Sequence, residues 1–356
     1  MNDPFVAPRW LANAHLQTLG AALPLWSSFT RPAELLRIPL PANAGALFAR
    51  AWWQDGPRPA ALIVHGVGGS SESRYVLRAG MALFRAGFHV IRLNLRGAGE
   101  GLAEAPSLYH GGLTEDVSVA IAALLDDGTP ATRRGQNLDG TSATRRGQNL
   151  GDTPATRRGH QIEDVSLIGF SLGGNCALKL AGEWGAEKPP RVRAVAALSA
   201  PLDLTEVSRS LERGRNFAYR SYVLRNLIAR GAAFARLHPS RAGYDVARLR
   251  RLRSLRAYDE MVVAPMHGFV NAADYYRAAS SGPYLSKIRV PTLLVHAADD
   301  PMVPDFTVRP WIAGLPQAVE VAWSDRGGHL GWFAGLRETD WVDTWAMRRV
   351  LEFLRR

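Results

Sequence analysis

Gly169-Phe170-Ser171-Leu172-Gly173-Gly174 is the stretch around which the rest of the sequence is arranged. An apolar run at 165–168 precedes it, and residues 175–181 after it have helical spacing. This order of strand, G-x-S-x-G and helix predicts a nucleophile elbow, a sharp turn that projects a serine hydroxyl above the end of a sheet. Glycines at 169 and 173 suit such a turn, because side chains there would collide with neighbouring backbone. The alternative, a helix that merely begins with a serine cap, does not explain the candidate partners described below.

Other strand-like apolar runs alternate with helical segments along the chain, at 60–64, 89–94, 192–199, 291–296 and 319–323. Together with the elbow they predict an α/β-hydrolase fold, a mostly parallel sheet flanked by helices, as one domain over residues 1–356. Two short strands at 35–39 and 46–53 predict an antiparallel hairpin at the sheet edge. Residues 1–33 are predicted to be an N-terminal arm, too polar and irregular for a helix prediction. Residues 341–355 are predicted to form a closing amphipathic helix.

A hydrolase of this kind places its acid and then its base after later strands. The loop after 291–296 offers Asp299 and Asp300. Asp300 is favoured, because prolines fix the loop directly after it, and Asp299 is the fallback. Asp203, after the preceding strand, is a third candidate. His329 follows the last strand between glycines and is the candidate base, which gives a Ser171, Asp300, His329 triad.

The glycine-rich loop at 65–73 follows a buried strand, where a hydrolase takes one backbone N–H of its oxyanion hole. Val67 and Leu172 are the candidate donors. A phosphate-binding loop would need a Gly-Lys pair that is missing here, and the glycines at 97, 99 and 101 depart from the dinucleotide pattern. The sequence therefore predicts neither a cofactor nor a metal ion.

Residues 202–283 interrupt the strand–helix alternation and predict a helical lid. From Pro201 to Glu260 there are 13 Arg and 6 acidic residues, a net +7 within a total of +11. The positive electrostatic field of this region predicts faster association with anionic substrates and allows weak contact with a membrane surface. No nucleic-acid partner is expected, because no nucleic-acid-binding motif accompanies the charge and 40 of 43 basic residues are Arg, as biased genome composition would give.

A 12-residue unit repeats from Ala131 to Pro154, and a third copy begins at Ala155. The unit has almost no large apolar residue to bury, so residues 126–160 are predicted to be a disordered loop. That loop would lie at the sheet edge opposite the one where ligands bind. Cys176 is the only cysteine and is expected to be a packing residue. With no apolar run of 18 residues and no recognisable signal peptide, a cytoplasmic protein is expected.

The sequence also resembles a known family, the YheT-like α/β-hydrolases. The strings that carry this resemblance are 13–18, 65–66, 96–97, 109–110, 169–175, 264–269, 275–276, 296–301 and 327–329. The family includes predicted bacterial esterases, and fungal and animal relatives acting on medium-chain acyl esters or phospholipids. The resemblance implies carboxylic ester hydrolysis and places Ser171, Asp300 and His329 on the triad. It has no counterpart for the 12-residue repeats and assigns no role to His15, His110 or His267.

The prediction is therefore a serine esterase acting on a short- to medium-chain acyl ester or a lipid through an acyl-enzyme. An acyltransferase that moves an acyl group from acyl-CoA to an alcohol is the close alternative, since some relatives transfer acyl groups. A binding protein that has lost activity is the more distant one, because all three triad positions are filled.

Overall fold

The computed structural model describes residues 4–23, 31–126 and 161–356. The 12-residue repeats, predicted to form a disordered loop, lie outside the described residues. On either side of them the chain ends a helix at Leu125 and begins a strand at Ile162.

Eight strands of the described residues form one sheet. They are β1 (Glu34–Pro39), β2 (Ala46–Trp52), β3 (Arg58–Val64), β4 (His89–Asn94), β5 (Ile162–Phe170), β6 (Val192–Leu198), β7 (Thr292–Ala297) and β8 (Val319–Ser324). Their spatial order is β1-β2-β4-β3-β5-β6-β7-β8. Strand β2 is antiparallel to both of its neighbours, and every pair from β4 to β8 is parallel. The predicted mostly parallel sheet with a hairpin at one edge is confirmed.

Helices cover both faces of this sheet. The α-helices of the described residues are α1 (Ala14–Ala22), α2 (Arg74–Arg85), α3 (Thr114–Leu125), α4 (Leu172–Trp184), α5 (Leu204–Glu212), α6 (Phe217–Leu237), α7 (Pro239–Ala242), α8 (Val246–Leu249), α9 (Leu255–Tyr258), α10 (Ala264–Met266), α11 (Ala272–Ala279), α12 (Glu338–Val342) and α13 (Trp345–Leu354). A single π-helical turn, Asp259–Val263, joins α9 to α10.

The apolar core lies in two layers because successive side chains of a strand point to opposite faces. In β3, Leu62 and Val64 pack in the layer that contains α3 and α4. Ala61 and Ile63 pack in the other layer, with α2 and α13. Strands that are buried on both faces must be apolar at every position, which explains the continuous runs in the sequence.

The chain between β6 and β7 is entirely helical or turn in character and contains α5 to α11. Its long helix α6 buries Val223, Leu224 and Phe234 on one side. Because α5 follows β6 directly, this segment rises from the carboxyl edge of the sheet, the edge at which β5 also ends.

The structure differs from two expectations for the chain termini. Residues 14–22 form a helix that was not predicted, since the Asn13 side chain caps it by accepting from the N–H groups of His15 (2.8 Å) and Leu16 (3.2 Å). The predicted closing helix is present as α13 but begins four residues later than predicted, because Thr344 caps its start by accepting from the Met347 N–H, and Trp341 belongs to the separate helix α12. Among the described helices, none combines the length and apolarity needed to cross a bilayer.

Candidate active site

Ser171 lies at the junction of β5 and α4 with φ 50° and ψ −119°. A non-glycine residue with this backbone conformation is strained, and such strain is typical of functional turns. The turn is held by its neighbours, because the Ser171 N–H donates to the Leu198 carbonyl at 2.8 Å. The side chain is largely buried, with 7% exposure, and it faces the lid segment rather than bulk water.

The glycines on either side of the serine are required by close backbone approach. A Cβ at Gly169 would overlap the carbonyl oxygen of Gly173. A Cβ at Gly173 would overlap the carbonyl oxygens of Val64 and His65 at the end of β3. The turn can therefore pack against β3 only with glycine at both positions.

Two backbone N–H groups beside Ser171 have no hydrogen-bond partner within the described residues. They belong to Leu172, at the start of α4, and to Val67, in the loop after β3. The N–H groups of Gly66, Gly68 and Gly69 in the same loop are all bonded. Buried N–H groups are rarely left unpaired, so an unpaired pair beside a nucleophile is suited to receive a substrate oxygen.

Two phenols fix the loop that carries Val67. The Gly66 N–H donates to Tyr75 Oη at 2.8 Å, and the Gly68 N–H donates to Tyr109 Oη at 2.7 Å. Arg230 on α6 adds bonds to Tyr109 Oη (2.9 Å) and to two carbonyl groups of the loop. The lid segment thus holds the loop that carries Val67, and the sequence did not reveal this contact because these residues are far apart in the chain.

Asp300 and His329 form a buried pair. His329 Nδ1 lies 2.8 Å from Asp300 Oδ2, while Asp300 Oδ1 accepts from the N–H groups of Met302 (2.8 Å) and Val303 (2.9 Å). Burial by itself would raise the pKa of Asp300, but the neighbouring imidazole and the N–H donors lower it below its usual value. The carboxylate therefore stays charged and orients the imidazole.

The two competing aspartates have other partners. Asp299 Oδ1 accepts from the Gly328 N–H at 2.8 Å, which ties the loop after β7 to the loop after β8, and burial raises the pKa of Asp299. Asp203 caps α5 by accepting from the N–H groups of Thr205 (2.9 Å) and Glu206 (3.1 Å). Neither carboxylate is bonded to the imidazole of His329.

Helix α1 supports the loop that carries His329. Thr18 Oγ1 accepts from the His329 N–H at 2.8 Å, and the Gln17 amide bonds both the N–H and the carbonyl of Phe333 (2.8 and 3.1 Å). Positions 17 and 18 belong to the string that carries the family resemblance. The structure gives these residues a positioning role that the sequence alone did not.

The described part of the chain contains no hydrogen bond between Ser171 Oγ and His329. Catalytic hydrogen bonds are often long in the free enzyme and shorten when substrate binds. The imidazole and the hydroxyl nevertheless belong to loops at the same carboxyl edge of the sheet, after β8 and β5. Their backbones are fixed separately, by Thr18 and by Leu198.

Four other histidines of the described residues, and Cys176, have local contacts. Burial lowers the pKa of His65 and of His110 to about 3. His15 Nδ1 lies 2.7 Å from Tyr219 Oη, and the rings of His110 and His267 are 4.4 Å apart. Burial raises the pKa of the Cys176 thiol to about 12, so it remains protonated. In residues 4–23, 31–126 and 161–356, no group of three or more His, Cys, Asp or Glu side chains could hold a metal ion.

A cavity of about 100 Å³ opens beside the elbow. Ser171, Val67 and Leu172 line one side of it. The lid segment supplies most of the other walls, which are largely apolar and include Leu204, Val207, Leu211, Val223, Leu227 and Leu255. Ser171 and the two residues that carry the unpaired N–H groups therefore line one largely apolar pocket, the arrangement expected of a ligand site.

Comparison with known proteins agrees with the observed fold. The sequence profile of the alpha/beta hydrolase fold family matches residues 59–333. "Putative esterase YheT" of Escherichia coli is 28% identical over 96% of this chain and 93% of its own length. "Monoacylglycerol lipase" of Saccharomyces cerevisiae is 25% identical over 78% of this chain, which spans 56% of that relative. A solved esterase of Pyrococcus furiosus superposes with a TM-score of 0.53 at 16% identity, over 99% of this chain and 98% of its own, and at that identity it indicates the fold.

Proposed function

This chain is a YheT-like member of the alpha/beta hydrolase fold family, and from that premise we propose that it is a serine hydrolase that cleaves carboxylic esters. The observation that supports the proposal most is that Ser171, Val67 and Leu172 line one largely apolar cavity, while the N–H groups of Val67 and Leu172 have no partner in the described residues. The names of the relatives, an esterase and a monoacylglycerol lipase, support esters as the substrate class.

The mechanism follows from the pairing of Asp300 with His329. On substrate binding, His329 Nε2 takes the proton of Ser171 as Oγ attacks the ester carbonyl. The oxyanion accepts hydrogen bonds from the Val67 and Leu172 N–H groups, and Asp300 stabilises the imidazolium. His329 then protonates the leaving alcohol, and an acyl-enzyme remains. Water, activated by the same imidazole, releases the acid and restores the serine.

Acyl transfer to an alcohol is the second candidate, and the largely apolar walls of the cavity favour it. An alcohol that fills such a pocket displaces water from the acyl-enzyme, so it takes the place of water in the second step. Adding short-chain alcohols to an ester assay and quantifying acid against new ester separates the two. A hydrolase gives acid alone, whereas a transferase gives new ester in proportion to the alcohol.

The basic lid motivates a proposal about substrate charge. A groove of about 930 Å³ on the lid has apolar residues of α6 and α8 on its floor, and its arginines are Arg220, Arg225, Arg236, Arg250 and Arg253. Only Arg220 among these has an acidic partner within the described residues, Glu212. The groove supports weak contact with an anionic lipid surface and faster capture of anionic esters. A salt increase should then lower kcat/KM for a charged ester more than for a neutral one, and an equal response would refute this steering.

The central test is a set of p-nitrophenyl esters of graded chain length. We expect the wild-type protein to hydrolyse the shorter members, because the cavity is small. Ser171→Ala should lower kcat by at least about 10³-fold. Ser286→Ala, at an exposed serine, is the matched control and should leave the rate unchanged. Hydrolysis that survives the loss of Ser171 would refute the proposed mechanism.

A further inference from the structure

A small cluster of polar side chains interrupts the apolar walls of the cavity beside Ser171. Asp259 lines this cavity from the lid side, together with Tyr276 and Ser208. The Tyr276 hydroxyl donates to Asp259 Oδ2 at 2.6 Å, and the Ser208 hydroxyl donates to Tyr276 Oη at 3.1 Å. A hydroxyl–phenol–carboxyl chain therefore ends at Asp259, on the wall of the pocket.

The second carboxyl oxygen of Asp259 has no partner in the described part of the chain. Tyr276 is the one hydrogen-bond donor to this carboxyl among those residues, and no cation pairs with it there. The two neighbouring acidic residues, Glu212 and Glu260, bind other groups of the protein. Glu212 accepts from Ser254 and Leu255 and pairs with Arg220, and Glu260 accepts from the Ala272 N–H. Of these three acids, Asp259 alone lines the cavity, and it has one oxygen without a partner in the described residues.

Keeping a carboxyl group in this position destabilises the fold. Burial raises the pKa of Asp259 to about 7, and the nearby carboxylates of Glu212 and Glu260 add to the effect. An apolar side chain of similar size would pack against the surrounding leucines without that cost. A polar group that is retained against this cost, on the wall of a substrate cavity, points to recognition of a ligand.

The backbone at Asp259 is also unusual. It begins the π-helical turn Asp259–Val263, and such turns are rare and frequently occur at functional sites. Compared with a continuous α-helix, this π-helical turn contains one extra residue. Leu255, one helical turn before Asp259, lines the same cavity, so both residues share the pocket-facing side of this segment.

We propose that Asp259 is a specificity-determining residue that accepts or donates a hydrogen bond to a hydroxyl group on the substrate chain inside this cavity. A hydroxyl suits the site because it can donate to a carboxylate and accept from a carboxylic acid. The cavity of about 100 Å³ admits only a short chain, since a cavity of about 150 Å³ holds one benzene molecule. The preferred substrates are thus esters of short hydroxy acids. This inference rests on the proposed ester hydrolysis at Ser171.

Two esters of the same shape test the inference. The p-nitrophenyl esters of 3-hydroxybutyrate and 3-methylbutyrate differ only in a hydroxyl in place of a methyl group. Each kcat/KM is divided by the rate of alkaline hydrolysis of the same ester, which removes intrinsic reactivity. The wild-type ratio of hydroxy to methyl ester should exceed about tenfold, the effect of one hydrogen bond to a charged or polar buried group. A ratio near one would overturn the inference.

Four variants test whether Asp259 causes this preference. Asp259→Leu should bring the corrected ratio to one or below, while Asp259→Asn should keep a preference for the hydroxy ester, because an amide also donates and accepts. Asp55→Leu, at an exposed aspartate in the turn after β2, is the control and should keep the wild-type ratio. If Asp259→Leu does not fold, Tyr276→Phe still tests the chain and should reduce the ratio. A preference unchanged in both Asp259→Leu and Tyr276→Phe would overturn the inference.

A binding measurement separates this inference from the proposed function. In Ser171→Ala, methyl 3-hydroxybutyrate should bind more tightly than methyl 3-methylbutyrate, as followed by calorimetry. If the wild-type protein hydrolysed none of the esters but this binding preference were present, the proposed hydrolysis would fail and the assignment to Asp259 would stand. If the esters were hydrolysed through Ser171 with no preference in either assay, the assignment would fail and the hydrolysis would stand.

Discussion

Asp300, in the loop after β7, and Asp259, in the lid segment, are carboxyl groups on either side of the candidate site, the first buried and the second half-buried. Asp300 has three donors: two backbone N–H groups and the imidazole of His329. Asp259 has one, the phenol of Tyr276, and two other acids lie near it. The pKa of Asp300 is accordingly lowered, whereas burial raises that of Asp259 to about 7.

This contrast shows that the surroundings, and not the residue type, decide what a carboxyl group can do. A carboxylate with several donors keeps its charge and can stabilise a neighbouring cation. A carboxyl with one donor changes its protonation near neutral pH and can exchange hydrogen bonds with a ligand. The two aspartates are therefore suited to different roles, orientation of the base and selection of the substrate.

The largest effect should come from Asp300→Asn. Loss of the charge beside His329 should lower kcat for p-nitrophenyl butyrate on the order of 10⁴-fold with little change in KM, because the imidazolium is no longer stabilised. Asp259→Asn makes the same chemical change in the lid and should lower kcat for this plain ester by less than about tenfold. Equal losses in the two variants would remove the distinction between the aspartates.

The pH dependence of the free energy of unfolding should give the next largest difference between Asp259 and Asp300. Asp259 keeps its proton up to about pH 7 in the folded state but releases it near pH 4 in the unfolded state, so its own contribution to the free energy of unfolding falls as pH rises between these values. The buried His65 and His110, whose pKa values are lowered to about 3, contribute in the opposite direction. The readout is therefore the difference in free energy of unfolding between the wild-type protein and Asp259→Asn, measured by urea unfolding, which should fall by roughly 2.5 kcal/mol from pH 5 to 8. Asp300, whose pKa is lowered, contributes stability that is lost only as pH falls below about 4, and it is present in both proteins. A difference that stays constant from pH 5 to 8 would contradict the assignment.

A smaller effect should follow from loosening the loop of His329. Thr18→Val removes the acceptor for the His329 N–H and should lower kcat about tenfold, with the fold retained by circular dichroism. Thr18→Ser keeps the hydroxyl and should restore most of the rate. If both variants behaved alike, the hydroxyl of Thr18 would have no part in positioning the base.

The smallest effect is expected at the loop that carries Val67, which we propose contributes to the oxyanion hole. Tyr75→Phe removes the acceptor for the Gly66 N–H, while Tyr109 and Arg230 still hold the rest of the loop. We expect kcat to fall about threefold and KM to remain within twofold. Tyr284→Phe, on the far side of α4, is a matched control. A rise in KM that is larger than the fall in kcat would indicate that Tyr75 binds substrate instead.

The sequence predicted those parts of the site that depend on local spacing and strand order. The elbow at Ser171 was recognisable from two glycines and the strand before them, and Asp300 and His329 from the strands they follow. Asp259 was not recognisable, because it lies 88 positions from Ser171 in a helical segment without a motif. Helix α1 was missed because its apolar pattern is weak and it is held by contacts with Phe333 and the His329 loop, although Asn13 offered a capping signal.

The bond between Thr18 and His329 joins residues 311 positions apart, so segments made at different stages of translation must meet before it forms. A nascent chain therefore contains Ser171 well before the loop that Thr18 supports has been made. The proposed ester turnover then depends on the assembly of two distant segments as well as on the serine. Fusions or truncations that displace residues 14–22 should abolish this proposed activity while leaving the sheet intact.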